Sequence, residues 1–545
     1  MARGLAENEI DCKVIETVSS QIFQHVLDEV VKAGIKEFCI CPGSRNSPLI
    51  ICLMNSPALK KYSWYEERSA AFFALGRSRS TRIPVAVVTT SGTAAGELLP
   101  AVMEAHYTGT PILLITADRP RRFRGTGAPQ TAEQVGLFGV YAGFSQDIEG
   151  NEVCRIMDWD WSGPAHLNVC IEDPKSYTAN YRDLSPLISH RIVKPFFRSA
   201  DSFDLDRFFE QSRNPLVVVG GLLPEDREST IDFLLRLNAP VYCEPASGLR
   251  EDVRLERQQV RMEAGLWKLS DSNGYVIDGI LRIGNVPVTR LWRDLEERTP
   301  RLAECSISCL PFSGLSWGRH IQCDLNAFFP AYIIPDGWQP GDFKAWVADD
   351  REDEQSLRQI FEKLPGSEPA LFQALAEIIP DNSMVYLGNS LPIREWDLAV
   401  SFKDRGIHIE CSRGVNGIDG QISTFLGLCQ EGRENWAIVG DLTALYDFAA
   451  LWILHALPKM PIKIVVVNNG GGKIFARIYK DPVFQHLHHF DFEHFAKCWK
   501  VPYYCMEGKI ENHLPAQAFI EVCPDPAATV CFWSVYDELM QKVPV

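Results

Sequence analysis

Along the chain, short apolar runs alternate with longer stretches in which apolar positions recur at helical spacing, a pattern that predicts α/β architecture with parallel sheets from end to end. In the first third, a helix over 21–33 leads into the strand Glu37–Cys41, and the turn Pro42–Pro48 precedes a second helix. A strand near Tyr62–Tyr65, a helix from about Arg68, the strand Pro84–Thr89 and a helix opened by Ser91–Thr93 follow. Strands Ile112–Thr116 and Ala165–Ile171 close this part. The polar, breaker-rich stretch 174–201 predicts a linker.

The middle third offers strands Pro215–Gly221, Pro240–Cys243 and Gly279–Gly284, a helix ending at Leu237, and an apolar run near Ile333 that predicts a further strand. The acidic Asp349–Glu354 and the breaker-rich Pro365–Pro369 together predict a second linker. A helix over Leu371–Ile379 and strands Met384–Leu387, Trp436–Val439 and Ile462–Val467 belong to the last third. The expected organisation is three consecutive α/β domains, 1–185, 186–355 and 356–545, with no short sequence repeat.

Composition narrows the classes. The 545 residues are 46% hydrophobic and 23% charged, which excludes a disordered or fibrous chain. With 54 Lys and Arg against 70 Asp and Glu, the formal charge of −16 disfavours a general nucleic-acid or anionic-membrane binder. None of the 16 cysteines forms a CxxC pair, and Cys39, Cys170 and Cys243 lie in apolar runs, so reduced core thiols of a cytoplasmic protein are expected. No secretory leader and no long apolar span are visible, so neither export nor membrane insertion is expected.

The most specific chemistry lies in Val439-Gly-Asp-Leu-Thr443 and Val465-Val-Val-Asn-Asn-Gly-Gly-Gly-Lys473. Asp441 and Asn469 each end an apolar strand. A hard divalent cation takes a carboxylate, an amide oxygen, a backbone carbonyl and phosphate oxygens, which Asp441, Asn469, Gly471 and a diphosphate can supply. Each piece alone is a common turn; a P-loop is excluded by Val467 and Ile474 at its required Gly and Ser/Thr positions. Together the two segments resemble the signature of thiamine-diphosphate enzymes. Such enzymes carry a carboxylic acid for N1′ of the cofactor's aminopyrimidine in the N-terminal domain, and Trp64–Gly76 offers Glu67, with Glu66 serving the helix terminus.

Further segments sharpen the likeness: Cys41–Leu49, Glu67–Ala71, Thr90–Ala95, Thr116–Pro120, Gly388–Arg394 and Arg413–Gly420. In order and over nearly the whole chain, they resemble the menaquinone-pathway 2-succinyl-5-enolpyruvyl-6-hydroxy-3-cyclohexene-1-carboxylate synthase family. The resemblance implies a pyrimidine-binding, a central and a diphosphate-binding domain. It also implies thiamine diphosphate with Mg²⁺ or Mn²⁺, and an active site between the first domain of one subunit and the third of its partner in a homodimer or homotetramer. The implied reaction decarboxylates 2-oxoglutarate and adds the succinyl unit to isochorismate.

Both substrates are dicarboxylates, which an acidic protein binds only by gathering arginines locally. By resemblance, Ser390 and Arg394 would hold the distal carboxylate of the succinyl unit, Arg45, Arg119, Gln130 and Arg413 would face isochorismate, and Ser44 is a further family-matched position. Ile418 presses under the cofactor, Leu442, Thr443 and Phe475 complete its binding side, and Arg290 stands where the family usually has Lys. Gly470 replaces a common third Asn, and Asn46-Ser47 replaces Ser-Thr. His486, His489 and Glu493 could line up on one helical face, but neither flanking cysteines nor an HExxH order supports a zinc site there. The competing readings are another thiamine-diphosphate enzyme, an acetolactate synthase or 2-oxo acid decarboxylase, and a catalytically silent regulatory relative.

Overall fold

The computed structural model describes residues 22–173, 182–191, 201–263, 266, 271, 273–479, 481–511 and 514–541. Most of the predicted linker 174–201, the extreme N-terminal segment and Gln21 of the first helix lie outside them.

Three wholly parallel sheets carry the chain. The first contains β1 (Glu37–Ile40), β2 (Lys60–Ser63), β3 (Val85–Thr89), β4 (Ile112–Asp118), β5 (Phe144–Ile148) and β6 (Ala165–Cys170), in the order β2-β1-β3-β4-β6-β5. The second contains β7 (Pro215–Val219), β8 (Val241–Cys243), β9 (Gly279–Ile283), β10 (Ala303–Ser308) and β11 (His320–Gln322), in the order β11-β10-β9-β7-β8. The third contains β12 (Met384–Leu387), β13 (His408–Glu410), β14 (Asn435–Gly440), β15 (Ile462–Val467), β16 (Tyr503–Glu507) and β17 (Gln517–Cys523), in the order β13-β12-β14-β15-β17-β16. The first and third sheets therefore share one winding order. That repeat is topological and leaves no short sequence repeat behind.

The central strands β3, β4, β7, β9 and β15 are buried along their whole length, as strands covered by helices on both faces must be. The chain divides into two compact units. One holds the first sheet together with residues 414–431 and 445–459; the other holds the second and third sheets.

Three expectations are corrected. The acidic stretch Asp349–Glu354 lies inside a helix, Lys344–Lys363, instead of a linker. Its charges have distant partners: Asp350 accepts the Arg261 and Met262 amides at 2.8 and 2.9 Å, and Glu354 accepts from Arg261 Nη1 at 2.6 Å. Ile333 belongs to no strand and is 81% exposed, because the chain leaves the helix Leu325–Ala331 there and turns to the surface. Glu368, in the breaker-rich Pro365–Pro369, is a buried helix start, since Pro369 suits the first turn of Glu368–Ile378. No helix among the described residues is long and apolar enough to cross a membrane.

Candidate active site

In an open parallel sheet, a crevice forms at the carboxyl ends of neighbouring strands whose connections run to opposite faces. In the first sheet that point lies between β1 and β3. The loop after β1 carries Ser44, which is exposed, and Arg45, whose Nη1 donates to the Ile171 carbonyl at 2.9 Å. Asn46 fixes this loop by donating to the Cys41 carbonyl and accepting from the Gly43 amide, both at 2.8 Å. The departure noted at this position thus has a structural task.

The loop after β3 is held by Gln134, whose Oε1 accepts the Gly92 amide at 2.9 Å and whose Nε2 donates to Asn168 Oδ1 at 2.8 Å. Asn168 Nδ2 donates onward to Asp118 at 3.0 Å and Asp147 at 2.8 Å. Past β4, Arg119 donates from Nε to the Pro129 carbonyl at 2.9 Å. Gln130 is exposed, has φ +55°, and its backbone lies against Gly92.

Glu67 is the first residue of the helix Glu67–Thr81 because Glu66 caps it, accepting the Arg68 and Ser69 amides at 3.2 and 2.8 Å. Burial, then the carboxylates of Glu66 and Glu97, push the Glu67 carboxyl above its usual range, against the opposing pull of a backbone amide. The helix is held from two sides. Ser69 Oγ donates to Asp447 at 3.3 Å, and Asp447, pushed up to about 6 by burial, accepts the Ser423 amide at 2.7 Å. At Gly76 it crosses the helix Gln421–Leu428 so closely that an added Cβ would lie 2.1 Å from the Thr424 carbonyl. Ile418, half-buried, sits just before that second helix, and Glu104 ties the same loop by accepting the Gly414 and Val415 amides at 2.9 and 2.8 Å.

In the third sheet the corresponding point lies between β12 and β14. Past β12, Ser390 takes φ +72° at the start of the helix Leu391–Ala399, and Arg394 Nη1 donates to its carbonyl at 2.5 Å. Arg413 donates to Asn389 Oδ1 at 2.7 Å, and its buried Nε has no hydrogen-bond partner among the described residues. Enclosure, then the like charge of Arg413, pulls the Arg394 guanidinium below its usual value. The helix is fastened by fully buried Arg250, which donates to the Asp397 and Val400 carbonyls at 2.7 and 2.9 Å. Arg290 stands apart: its side chain is 75% exposed and pairs with Asp294 of its own helix at 3.2 Å.

Asp441 directly follows β14 and opens the helix Asp441–Tyr446, and its carboxylate accepts the Leu442 amide at 2.6 Å and the Gly471 amide at 2.8 Å. Thr443 beside it is buried. Asn469 follows β15, the strand registered against β14. Gly471, at φ +136°, has no room for a side chain, since a Cβ would lie 2.4 Å from the Gln485 carbonyl. Gly470 takes φ +80°, a conformation open to Gly or Asn, which accounts for the exchange at this position. Phe475 is partly exposed beside Tyr479.

The zinc reading loses its geometric premise. Residues 486–492 are not helical and Glu493 only begins the next helix, so His486, His489 and Glu493 do not share a helical face. The histidine that turns inward is His488, whose Nε2 lies 3.1 Å from Asp441 Oδ2.

The donor set fits a hard cation with a diphosphate. Asn469 Oδ1 is buried without a hydrogen-bond partner among the described residues, while its Nδ2 donates to both carboxyl oxygens of Glu368. An orphaned amide oxygen beside a strand-end carboxylate is the ligand pair that Mg²⁺ takes. Asp441 and Asn469 would hold the cation, and the Gly470–Gly472 backbone is bare enough for phosphate oxygens.

Residues 21–137 match the family model described as thiamine pyrophosphate enzyme, N-terminal TPP binding domain. A 2-succinyl-5-enolpyruvyl-6-hydroxy-3-cyclohexene-1-carboxylate synthase of Bdellovibrio bacteriovorus is 40% identical over 524 residues, 95% of this chain and 98% of the relative. The chain belongs to that synthase family. A second synthase, from Akkermansia muciniphila, is 39% identical over 83% of each chain. In fold, this synthase-family chain resembles a solved structure from Mycobacterium smegmatis described as thiamin diphosphate-dependent, with TM-score 0.64, 16% identity, and 92% and 99% of the two chains covered.

Several residues that hold the candidate loops within each unit were not singled out from the sequence: Asn168, Gln134, Glu104 and Asp447 in the first, and Arg250, Glu368 and His488 in the second. Each acts on a partner far away along the chain, so no local motif announces it.

Proposed function

We propose that this chain catalyses the decarboxylation of 2-oxoglutarate and the addition of the resulting succinyl unit to isochorismate, giving 2-succinyl-5-enolpyruvyl-6-hydroxy-3-cyclohexene-1-carboxylate in menaquinone biosynthesis. The observation that carries the reading is the orphaned Asn469 Oδ1 together with the Asp441 carboxylate, each following one of two neighbouring, registered strands. Bound thiamine diphosphate with Mg²⁺ supplies the electron sink that loss of CO₂ from a 2-oxo acid requires. Glu67 holds a proton at N1′ of the aminopyrimidine, a task suited to a carboxyl raised by burial. Ile418 supports the cofactor from below, and Asp441, Leu442, Thr443, Asn469, Gly471 and Phe475 form its diphosphate side.

Ser390 and Arg394 bind the distal carboxylate of 2-oxoglutarate. Ser44, Arg45, Arg119, Gln130 and Arg413 receive the carboxylates and hydroxyl of isochorismate. The buried unpaired Nε of Arg413 supports such a role, because a buried donor without an acceptor is costly unless a ligand completes it. The segments 1–185, 186–355 and 356–545 serve as pyrimidine-binding, central and diphosphate-binding domains of a cytoplasmic homo-oligomer, with sites shared between subunits.

The deciding experiment mixes the protein with thiamine diphosphate, Mg²⁺, 2-oxoglutarate and isochorismate and identifies the product by mass. The succinylated cyclohexene product is expected. Preference for pyruvate, with an acetolactate-type product, would replace this reading with the acetolactate-synthase one, and no turnover of any 2-oxo acid would favour a silent relative.

A further inference from the structure

We propose that Glu368 is the positioning residue that sets which end of the Asn469 amide faces the cation, an inference that rests on the metal reading above. Glu368 is the first residue of the helix Glu368–Ile378, where an acidic side chain ordinarily stays in solvent and favours the helix terminus by charge alone. Here it is only 3% exposed, and both of its carboxyl oxygens are spent on one group 101 residues away. Asn469 Nδ2 donates to Oε1 at 2.9 Å and to Oε2 at 3.0 Å.

An amide has one donor end and one acceptor end, and a carboxylate only accepts. With both carboxyl oxygens placed on the same amide end, ionised Glu368 favours one orientation of Asn469, with Nδ2 inward and Oδ1 turned away. That Oδ1 is the buried oxygen left without a hydrogen-bond partner among the described residues. The opposite orientation would present an N–H to the cation and oppose amide oxygen to carboxylate. The position of Glu368 itself does not depend on this contact, because its backbone amide donates to Thr529 Oγ1 at 3.0 Å.

The test exchanges donor and acceptor while keeping shape, and reads Mn²⁺ binding to the full chain with thiamine diphosphate by electron paramagnetic resonance, without turnover. In Glu368→Gln the new side chain can donate or accept, so Asn469 loses its directional constraint, and Mn²⁺ affinity should fall about 10- to 100-fold, the usual effect of removing a ligand-orienting partner. The melting temperature of the metal-free protein should change little. Adding Asn469→Asp to Glu368→Gln restores complementarity with polarity reversed: the introduced amide donates, and the introduced carboxylate keeps an oxygen for the cation. The double variant should recover most of the lost affinity, which loss of packing would not allow. Wild-type Mn²⁺ affinity in Glu368→Gln, or no recovery in the double variant, overturns the positioning role. Asp441→Asn separates the two levels. If it too binds Mn²⁺ like the unaltered protein, the metal site is misassigned and the proposal falls with it; if it loses binding while Glu368→Gln does not, only the positioning role fails.

Discussion

Glu67 and Glu66 are neighbours with opposite assignments, and their environments separate them. Glu66 spends its carboxylate on two backbone amides, whereas Glu67 is held above the usual carboxylate range by burial and by the charges of Glu66 and Glu97. Glu67→Gln should leave the fold and thiamine diphosphate binding intact and remove most hydrogen–deuterium exchange at C2 of the bound cofactor. Glu66→Gln should cost helix stability and leave that exchange nearly unchanged. Exchange measured by NMR in both variants distinguishes them, and unchanged exchange in Glu67→Gln would refute the assignment. Arg394 gives a second expectation. Because it reaches solvent, removing its charge should cost less than breaking a fully buried pair: about 2–3 kcal/mol, or roughly 30- to 150-fold in kcat/KM for 2-oxoglutarate. Cofactor affinity, read by calorimetric titration of Arg394→Ala, should stay close to that of the unaltered protein.

Among the elements, the crossing of Glu67–Thr81 with Gln421–Leu428 makes a severe steric demand. A glycine inside a helix costs about 0.5–1 kcal/mol relative to alanine, so replacing it ordinarily stabilises. At Gly76 the added methyl meets backbone, which cannot swing aside, and Gly76→Ala should destabilise by about 1–3 kcal/mol. Gly96 is the contrast: nothing lies within 4 Å of its added Cβ, and Gly96→Ala should be neutral or stabilising. Urea unfolding of both variants checks the opposite signs.

The same crossing shows what sequence reading can and cannot reach. Strand ends such as Gly440-Asp441 and Val467–Gly471 were legible because an apolar run and the glycines that close it are adjacent in the chain. The helix start with Glu66 as its cap was legible because such a terminus carries its own local signal, whereas Glu67 was reached through the family resemblance. The acidic Asp349–Glu354 misled because acidity alone reads as solvation, and its partner Arg261 lies about 90 residues earlier. Glu104 and Gly414 are 310 positions apart, and no periodicity links them.

For the whole molecule, pH acts through buried groups that cannot hold their ordinary charge. His166 is buried in β6, within 2.8 Å of Thr116 Oγ1 and edge-on to Phe138, and burial pulls it down to about 4 despite the nearby Asp147 charge. Between that value and the ordinary 6.5, the unfolded chain binds a proton that the native chain refuses. Stability should therefore rise with pH through this window and be lost as pH falls, by about 3 kcal/mol from this residue. His166→Gln should flatten the difference in unfolding free energy between about pH 4.5 and pH 7.5; an unchanged difference would show that His166 is not its source.

The first compact unit is also discontinuous, since it takes in residues 414–431 and 445–459 from late in the chain. Ribosomal synthesis delivers those pieces after the whole second sheet has emerged. Until then the early helix lacks the helix that its Gly76 backbone and Phe72 ring meet in the finished unit, and the newborn protein carries that contact surface uncovered through most of translation. Chaperone binding to stalled nascent chains should persist past the first sheet and fall only once residue 459 has cleared the tunnel.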